Sequence, residues 1–494
     1  MKNYKNFIPL IGTKVDPVAY GVYPLSINSV GGGTVFMAED SKETLIVAVG
    51  KDWDFSGVEF EVEDQPCVAA PLTHANAKVL RSLLPFTAPV RVLHKERTVG
   101  VGDRLGIAAP GHIRVFEEYD AFPILAQQSI RELTLTERTY EDVLDAATFA
   151  VFRDGYKKGY GADGDHLKKA EEVKMALDLG YSMITLDCSD HMHNEFESMP
   201  KAELDNKYMA KTELEKKYIG KSFDLGEGVV VTFDEESFKR MAMVYGEVLD
   251  YATSIYEKFF TDGTYSADFE ISIDETTTPT TPLEHFFVAN ELTARGVKFA
   301  TLAPRFCGEF QKGVDYIGDI KQFEQELVAH TAIARYFDYK ISLHSGSDKF
   351  MVFPIFGRLT RGRFHVKTAG TNWLEAMKLV AMVDPKLYRE VHAFALSKFD
   401  EVTKYYHVTT DITRIPDLDT LDDKALVKLF EHNDARQLIH ITYGPILSTK
   451  DAKGEFLFKD RLYDLWKIHE KQYSDLLFHH IGRHLKELYR HMRG

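Results

Sequence analysis

Thiol chemistry has little to work with in this chain, whose 494 residues include three cysteines, Cys67, Cys188 and Cys307. They lie far apart and form no Cys-x-x-Cys pair, which argues against both a disulfide framework and a thiolate zinc site. A reducing, cytoplasmic setting is the expectation. No segment approaches the roughly 20 apolar residues of a membrane span, and the opening stretch lacks the apolar core of a secretory signal. No Gly-x-Gly-x-x-Gly fingerprint follows a candidate strand, so no nicotinamide is expected. Gly31-Gly32-Gly33 lacks the lysine and the spacing of a phosphate loop and reads as a turn. Positive charge is short as well: the formal net charge is −15. A balance of that sign repels phosphate backbones. The one basic cluster, around Arg483, His484, Lys486 and Arg490, reads as a helix face, so nucleic acid is not an expected partner.

What is present is a 44% hydrophobic content and, after residue 100, an alternation of strands and helices. That alternation argues for βα units and a parallel sheet. Eight apolar runs end in polar residues or turns: 105–110, 123–128, 160–166, 183–187, 269–274, 297–304, 340–344 and 364–368. Eight is the number a closed (β/α)8, TIM-type barrel needs. The expected layout is a small α/β region over 1–100, the barrel over 101–385 with an insertion at about 191–265, and a mostly helical extension over 386–494. Thr281, Pro282 and Glu284 give one helix an N-cap, an N1 proline and a capping-box acid, with Gly296 at its far end. The insertion and the extension could cover the barrel mouth or form a subunit interface, which leaves a homo-oligomer open.

Catalytic groups in parallel barrels gather at the C-terminal strand ends, where the βα loops converge. At or just past those ends stand Asp163, Asp165, His166, Asp187, Asp190, His191, Asp274, Glu275, Arg305, Glu309, His344, Lys349 and Lys367. Alternation sharpens the choice. In 269–274 the apolar Phe269, Ile271 and Ile273 alternate with Glu270, Ser272 and Asp274, and helices cover a barrel's outside, so the polar set faces inward. A glutamate in that interior is partly desolvated. Its pKa should rise, which suits an acid, although pairing with Lys367 is the plainer alternative. Ser342, His344 and either His365 or Lys367 turn inward by the same rule. Imidazoles and carboxylates from several strands, without thiolates, suit a divalent ion such as zinc, manganese, nickel or cobalt. His166, Glu309 and His344 are the expected ligand set. Asp187 and Asp190 could instead cap the turn after their strand, and the rings of His191 and His193 would point oppositely in an extended chain.

Several strings are longer than chance placement gives. They include Gly161-Ala162-Asp163-Gly164-Asp165-His166-Leu167-Lys168 and Ser272-Ile273-Asp274-Glu275-Thr276, which runs on to Thr281-Pro282-Leu283-Glu284-His285. Others are Leu302-Ala303-Pro304-Arg305-Phe306, continuing through Gly308-Glu309-Phe310 to Lys312-Gly313-Val314-Asp315-Tyr316; Leu343-His344-Ser345-Gly346-Ser347-Asp348-Lys349; and Phe364-His365-Val366-Lys367-Thr368. In these the chain resembles the tagaturonate epimerase family, closely over 105–385 and more loosely in the flanks, with Cys188 standing where a proline is expected. The resemblance implies an isomerase acting on a small sugar acid, interconverting D-tagaturonate and D-fructuronate. Related members act as tagatose/fructose 4-epimerases on neutral ketoses. On that reading Asp165 is the base and Glu270 the acid, Arg305, Lys349 or Lys367 pairs with the uronate carboxylate, and Asp187 and Asp274 contact substrate. A non-catalytic sugar-binding barrel and an aldose–ketose isomerase are the competing classes.

Overall fold

The computed structural model describes residues 3–40, 43–368 and 370–492. Eight parallel strands close into a barrel in strict chain order: Arg97–Val101, Phe122–Ser129, Gly161–Leu167, Met183–Asp187, Asp268–Ile273, Thr301–Pro304, Lys340–Leu343 and Phe364–Thr368. The eighth pairs with the first through Phe364–Arg97 to Thr368–Val101. Seven of the eight strands overlap the expected runs. The first does not. The stretch 105–110 is only partly buried and is a loop entering the helix Ala109–Glu118, in which Leu105 and Ala108 belong to the apolar cluster of the C-terminal helices. Apolar content there serves packing between modules, while the strand itself is the less hydrophobic Arg97–Val101. Gly159, Gly161 and Gly164 do carry a Gly-x-Gly-x-x-Gly spacing, but it runs into the third strand rather than from a strand into a helix.

Ahead of the barrel lies a five-stranded antiparallel sheet, ordered Asn28–Val30, Gly33–Asp40, Glu43–Val49, Gln65–Pro71, Val58–Val62. The glycine triplet makes its first turn, with Gly31 and Gly32 at φ 57° and 86°. One face of that sheet packs Val35, Met37, Ile46 and Ala48 on the helix His74–Leu83 and on Phe149 and Phe152 of the barrel helix Tyr140–Asp154.

Between the fourth and fifth strands the chain leaves the barrel through two short helices, a two-stranded hairpin and the long helix Glu235–Phe259. His191 ends one 3₁₀ turn and His193 caps the next, so the chain is not continuously extended and both rings reach one carboxylate, that of Glu247, at 2.8 and 2.9 Å. The helix Pro282–Ala294 starts at Thr281 with a full capping box to Glu284, and Gly296 follows its end at φ 81°.

The C-terminal helices form a second core around Trp373 and Trp466, whose rings meet edge to face at 6.1 Å. Their indole N–H groups donate to Ile439 and Ala376 carbonyls, at 2.7 and 3.0 Å, so neither buried donor is orphaned. The run 439–442 lies across the end of the helix Asn433–Ile441 rather than in a strand. Among the described residues no helix is long and apolar enough to cross a membrane.

Candidate active site

Inward-facing side chains fill the barrel in layers, as strand alternation requires. Lowest are Thr98, Lys340 and His365: Lys340 Nζ donates to Thr98 Oγ1 (2.7 Å) and to the Lys95 carbonyl (2.8 Å), and His365 Nδ1 stands 2.9 Å from Thr98 Oγ1. Burial pulls the Lys340 ammonium down to about 7 and the His365 imidazole to about 3.

The next layer is charged. Lys367 Nζ lies 2.7 Å from Asp163 Oδ2 and 3.3 Å from Glu270 Oε1, touches Asp165 Oδ1, and donates to Thr185 Oγ1 at 2.7 Å. Thr185 hydrogen-bonds both Asp163 and Glu270 at 3.0 Å, and Thr301 Oγ1 donates to Glu270 Oε2 at 2.5 Å. The alternation in the fifth strand did turn Glu270 inward, fully buried, while Phe269 packs outward against Phe260.

Its electrostatics correct the expectation. Burial alone raises the Glu270 carboxyl, but Lys367 and His344 outweigh it and hold Glu270 well below the ordinary range. Asp163 goes the other way: burial exceeds the pull of Lys367 and lifts it to about 6. Asp165 is lowered, because Lys367 and His166 outweigh its burial.

At the mouth, His344 Nε2 stands 2.8 Å from Glu270 and its Nδ1 3.1 Å from Asp274 Oδ2. Burial opposes the charge on this ring, but the two flanking carboxylates raise its pKa to about 10. His166, on the third strand at φ 53°, faces Asp187 Oδ2 at 3.4 Å, and its ring meets that of His344 at 5.0 Å. Asp187 also accepts from the Ser189 N–H at 2.9 Å, so the turn-capping alternative holds alongside the histidine contact.

Donor atoms of His166, Asp274 and His344 all lie within 4.8 Å of one another, as do those of His166, Asp187 and Glu275. Two imidazoles and a carboxylate without thiolate fit a borderline divalent ion. These groups could hold one.

A cleft of about 500 Å³ opens above them, lined by Asp165, His166, Asp187, Asp274, His344 and Lys367 together with Gln127, Arg131, Lys312 and Tyr406. Gln127 reaches the cleft because residue 100 is glycine: a Cβ there would meet the Gln127 amide oxygen at 1.6 Å.

Three expected site residues are not brought here. Glu309 forms a backbone bridge with Ile317 that leaves its carboxylate 42% exposed, facing His407 at 3.8 Å; Asp274 is the carboxylate beside the two histidines instead. Lys349 is buried, and its ammonium donates to the Gln311, Val314 and Ser347 carbonyls at 2.7–2.9 Å, so its three protons are committed. Arg305 lies off the cleft lining and donates to the Thr276 carbonyl. Lys367 reaches the cleft, but its charge is taken up by three carboxylates. The sequence reading passed over Gln127, Arg131, Lys312, Tyr406 and Thr185. Lys312 lies in the loop between the sixth strand and the helix Ile320–Tyr336, well past the strand end, so position along the strands does not mark it.

A closed parallel barrel with acids, bases and a lysine converging on its C-terminal mouth has the layout of a barrel enzyme's active site. The model of the tagaturonate epimerase family matches residues 23–488, and the chain belongs to that family. It is accordingly an isomerase of the epimerase class. It is similar to the tagaturonate/fructuronate epimerase of Thermotoga maritima, with 41% identity over 94% of this chain and 96% of that one. It is also similar to crystal structures of the fructuronate-tagaturonate epimerase of Cohnella laeviribosi, native and with one glycerol. Both show 46% identity and a TM-score of 0.92 over 98% of this chain and 99% of that one.

Proposed function

We propose that the chain interconverts D-tagaturonate and D-fructuronate by inverting C4 at this barrel mouth, with a divalent metal ion. The observation that carries the reading is the meeting of His166, Asp274 and His344 with Asp165 and Lys367 at one cleft floor, in a chain so similar to enzymes bearing that name. The inverted carbon is β to the ketone, so simple enolisation does not reach it. Breaking the C3–C4 bond does: a base takes the C4 hydroxyl proton, the bonding pair passes toward the ketone, and the aldehyde turns and re-adds on its other face. When bound, zinc, manganese, nickel or cobalt supplies a Lewis acid for the ketone and the neighbouring hydroxyl.

Asp165 is the base. It lines the cleft, and its lowered pKa keeps it ionised at neutral pH. Glu270 stands beneath the floor and stays ionised, so it acts through Lys367, whose Nζ lies 3.3 Å away: its charge helps keep that cleft-lining ammonium protonated. Lys367 hands a proton to the new C4 oxygen and recovers one from Asp165, which it also touches. The three groups end as they began. Asp187 and Asp274 orient the two histidines and receive substrate hydroxyls.

The test is to strip the protein with EDTA, add back manganese, nickel, zinc or cobalt, and follow D-tagaturonate and D-tagatose separately by NMR. Metal-dependent inversion of D-tagaturonate supports the reading. Better turnover of D-tagatose moves it to a neutral-ketose 4-epimerase. No product with any metal refutes it in favour of a sugar-binding barrel.

A further inference from the structure

The three cations expected to meet a substrate carboxylate are all committed elsewhere, yet the cleft holds cations that are not. Lys168 is paired with Asp190 at 2.7 Å, and Arg104, fully buried below, is spent on Glu132 at 2.9–3.0 Å and stacks on Tyr443. Lys312 and Arg131 differ from these. Both line the cleft, and neither stands in an ion pair among the described residues. Arg131 lies 5.3 Å over the ring of Tyr406. Lys312 is half-buried, and burial, then the charges of Arg104 and Arg131, hold its ammonium below the ordinary lysine value against the opposing pull of Glu132 and Asp165.

The backbone that carries Lys312 is held unusually firmly. Lys349 Nζ ties the carbonyls of Gln311 and Val314 on either side of it, at 2.9 and 2.7 Å. The Lys312 carbonyl accepts from Gln437 Nε2 at 3.1 Å and that of Gly313 from Arg436 Nε at 2.8 Å, both on the helix Asn433–Ile441. The Gln311 amide oxygen takes the Thr409 N–H and hydroxyl, each at 3.0 Å. A backbone fixed this way holds the root of the Lys312 side chain at the cleft, which lowers the cost of placing its amine on an anion. The cleft lining also bears Asp165, Asp187, Asp190, Asp274 and Glu275, which repel a carboxylate and leave it to the cations of the lining that have no ion-pair partner. Gln127, 1% exposed with its amide oxygen unpartnered, lines the same cleft and offers an acceptor to a hydroxyl.

We propose that Lys312, with Arg131 beside it, binds the carboxylate of the sugar acid and sets the preference for uronates over neutral ketoses. The proposal rests on the epimerase reading above and adds the orientation: ketone end toward His166 and His344, acid end toward the loop 311–314. Lys349 and the helix Asn433–Ile441 act through Lys312 as positioning elements.

The test compares metal-loaded wild type with Lys312→Met, Lys312→Arg and Lys169→Gln, the last removing an exposed cation of the same rim. Turnover of D-tagaturonate and D-tagatose and calorimetric affinity for D-tagaturonate are measured, with unfolding temperatures to confirm folding. Losing a charge-assisted hydrogen bond should raise KM and Kd for the uronate about 10- to 100-fold in Lys312→Met, with kcat changed less. The uronate-to-ketose ratio of kcat/KM should fall in step, Lys312→Arg should recover most of it, and Lys169→Gln should move it less than threefold. Uronate affinity within threefold of wild type in Lys312→Met overturns the proposal, as does an equal loss in Lys169→Gln. If wild type binds D-tagaturonate through Lys312 but does not turn it over, the epimerase reading fails while this one stands.

Discussion

Lys367→Met is the perturbation whose consequences follow most fully from the structure. The ammonium is 4% exposed and sits against Asp163, Asp165 and Glu270. Removing one partner from a buried ionic cluster costs about 3–5 kcal/mol, because charges are left uncompensated. For a chain of 494 residues the unfolding entropy is roughly 1 kcal/mol/K, so the melting temperature should fall by about 4 °C at pH 8. The loss should depend on pH. Asp163 is already raised to about 6 with Lys367 in place, and a group raised in the folded state gives stability that is full below its unfolded value and lost as pH rises through the folded one. Without Lys367 the folded value climbs further, so at pH 5.5 Asp163 is protonated and about 2 kcal/mol of the deficit returns, at about 1.4 kcal/mol per pH unit. Calorimetric scans at pH 5.5 and 8 measure this. A pairing with Asp163→Asn should recover at least half the loss at pH 8, since the neutral amide still accepts from Thr185. An equal deficit at both pH values, or none at pH 8, would refute the charge-cluster account.

Three further outcomes follow from the same site and its surroundings. Glu270→Gln should cut turnover by about 100-fold or more while metal content, read by elemental analysis, is retained; full activity removes Glu270 from the mechanism. Asp274→Asn should weaken metal binding about 10- to 100-fold, read by chelator competition, because Asp274 lies with His166 and His344 among the possible donors; unchanged affinity takes it out of the ligand set. Glu375 lies outside the site, 3.3 Å from His480 Nδ1, and burial raises it to about 7. Its stabilising effect is therefore full below about 4.5 and lost as pH rises through 7. Glu375→Gln should raise the melting temperature by about 2–3 °C at pH 8 and leave it nearly unchanged at pH 4.5, the displaced cost being roughly 3 kcal/mol. A shift of the same size at both pH values contradicts it.

Most of the barrel was legible because a strand covered by helices outside and filled with polar groups inside must alternate, and Phe269 to Asp274 do so plainly. The strand Arg97–Val101 was not, since a short segment with an arginine, a threonine and a glycine carries too little hydrophobic signal beside the neighbouring run at 105–110. That run is apolar for another purpose, the seam with the C-terminal helices. At the site, the convergence of His166, His344, Asp165, Asp187, Asp274, Glu270 and Lys367 could be read from strand ends. Their charge states could not. Whether Glu270 rises or falls depends on Lys367 and His344, contributed from strands 70 residues or more away in the chain. Glu309 and Lys349 look functional by position, but the bridge to Ile317 turns one outward and three carbonyls consume the other. Lys312 was hidden for the reverse reason: its place at the cleft is set by Lys349, Arg436 and Gln437, contacts that local pattern does not record.

The most direct measurement of the central claim starts from pure D-tagaturonate and, separately, pure D-fructuronate, with metal-loaded wild type and Glu270→Gln, followed by ¹H NMR in D₂O. The account expects both wild-type reactions to converge on one mixture of the two epimers, without the deuterium uptake that an enolising isomerase would build into product, and expects Glu270→Gln to stay near its starting material. Conversion to an aldose, or no exchange between the two uronates in either direction, would contradict it.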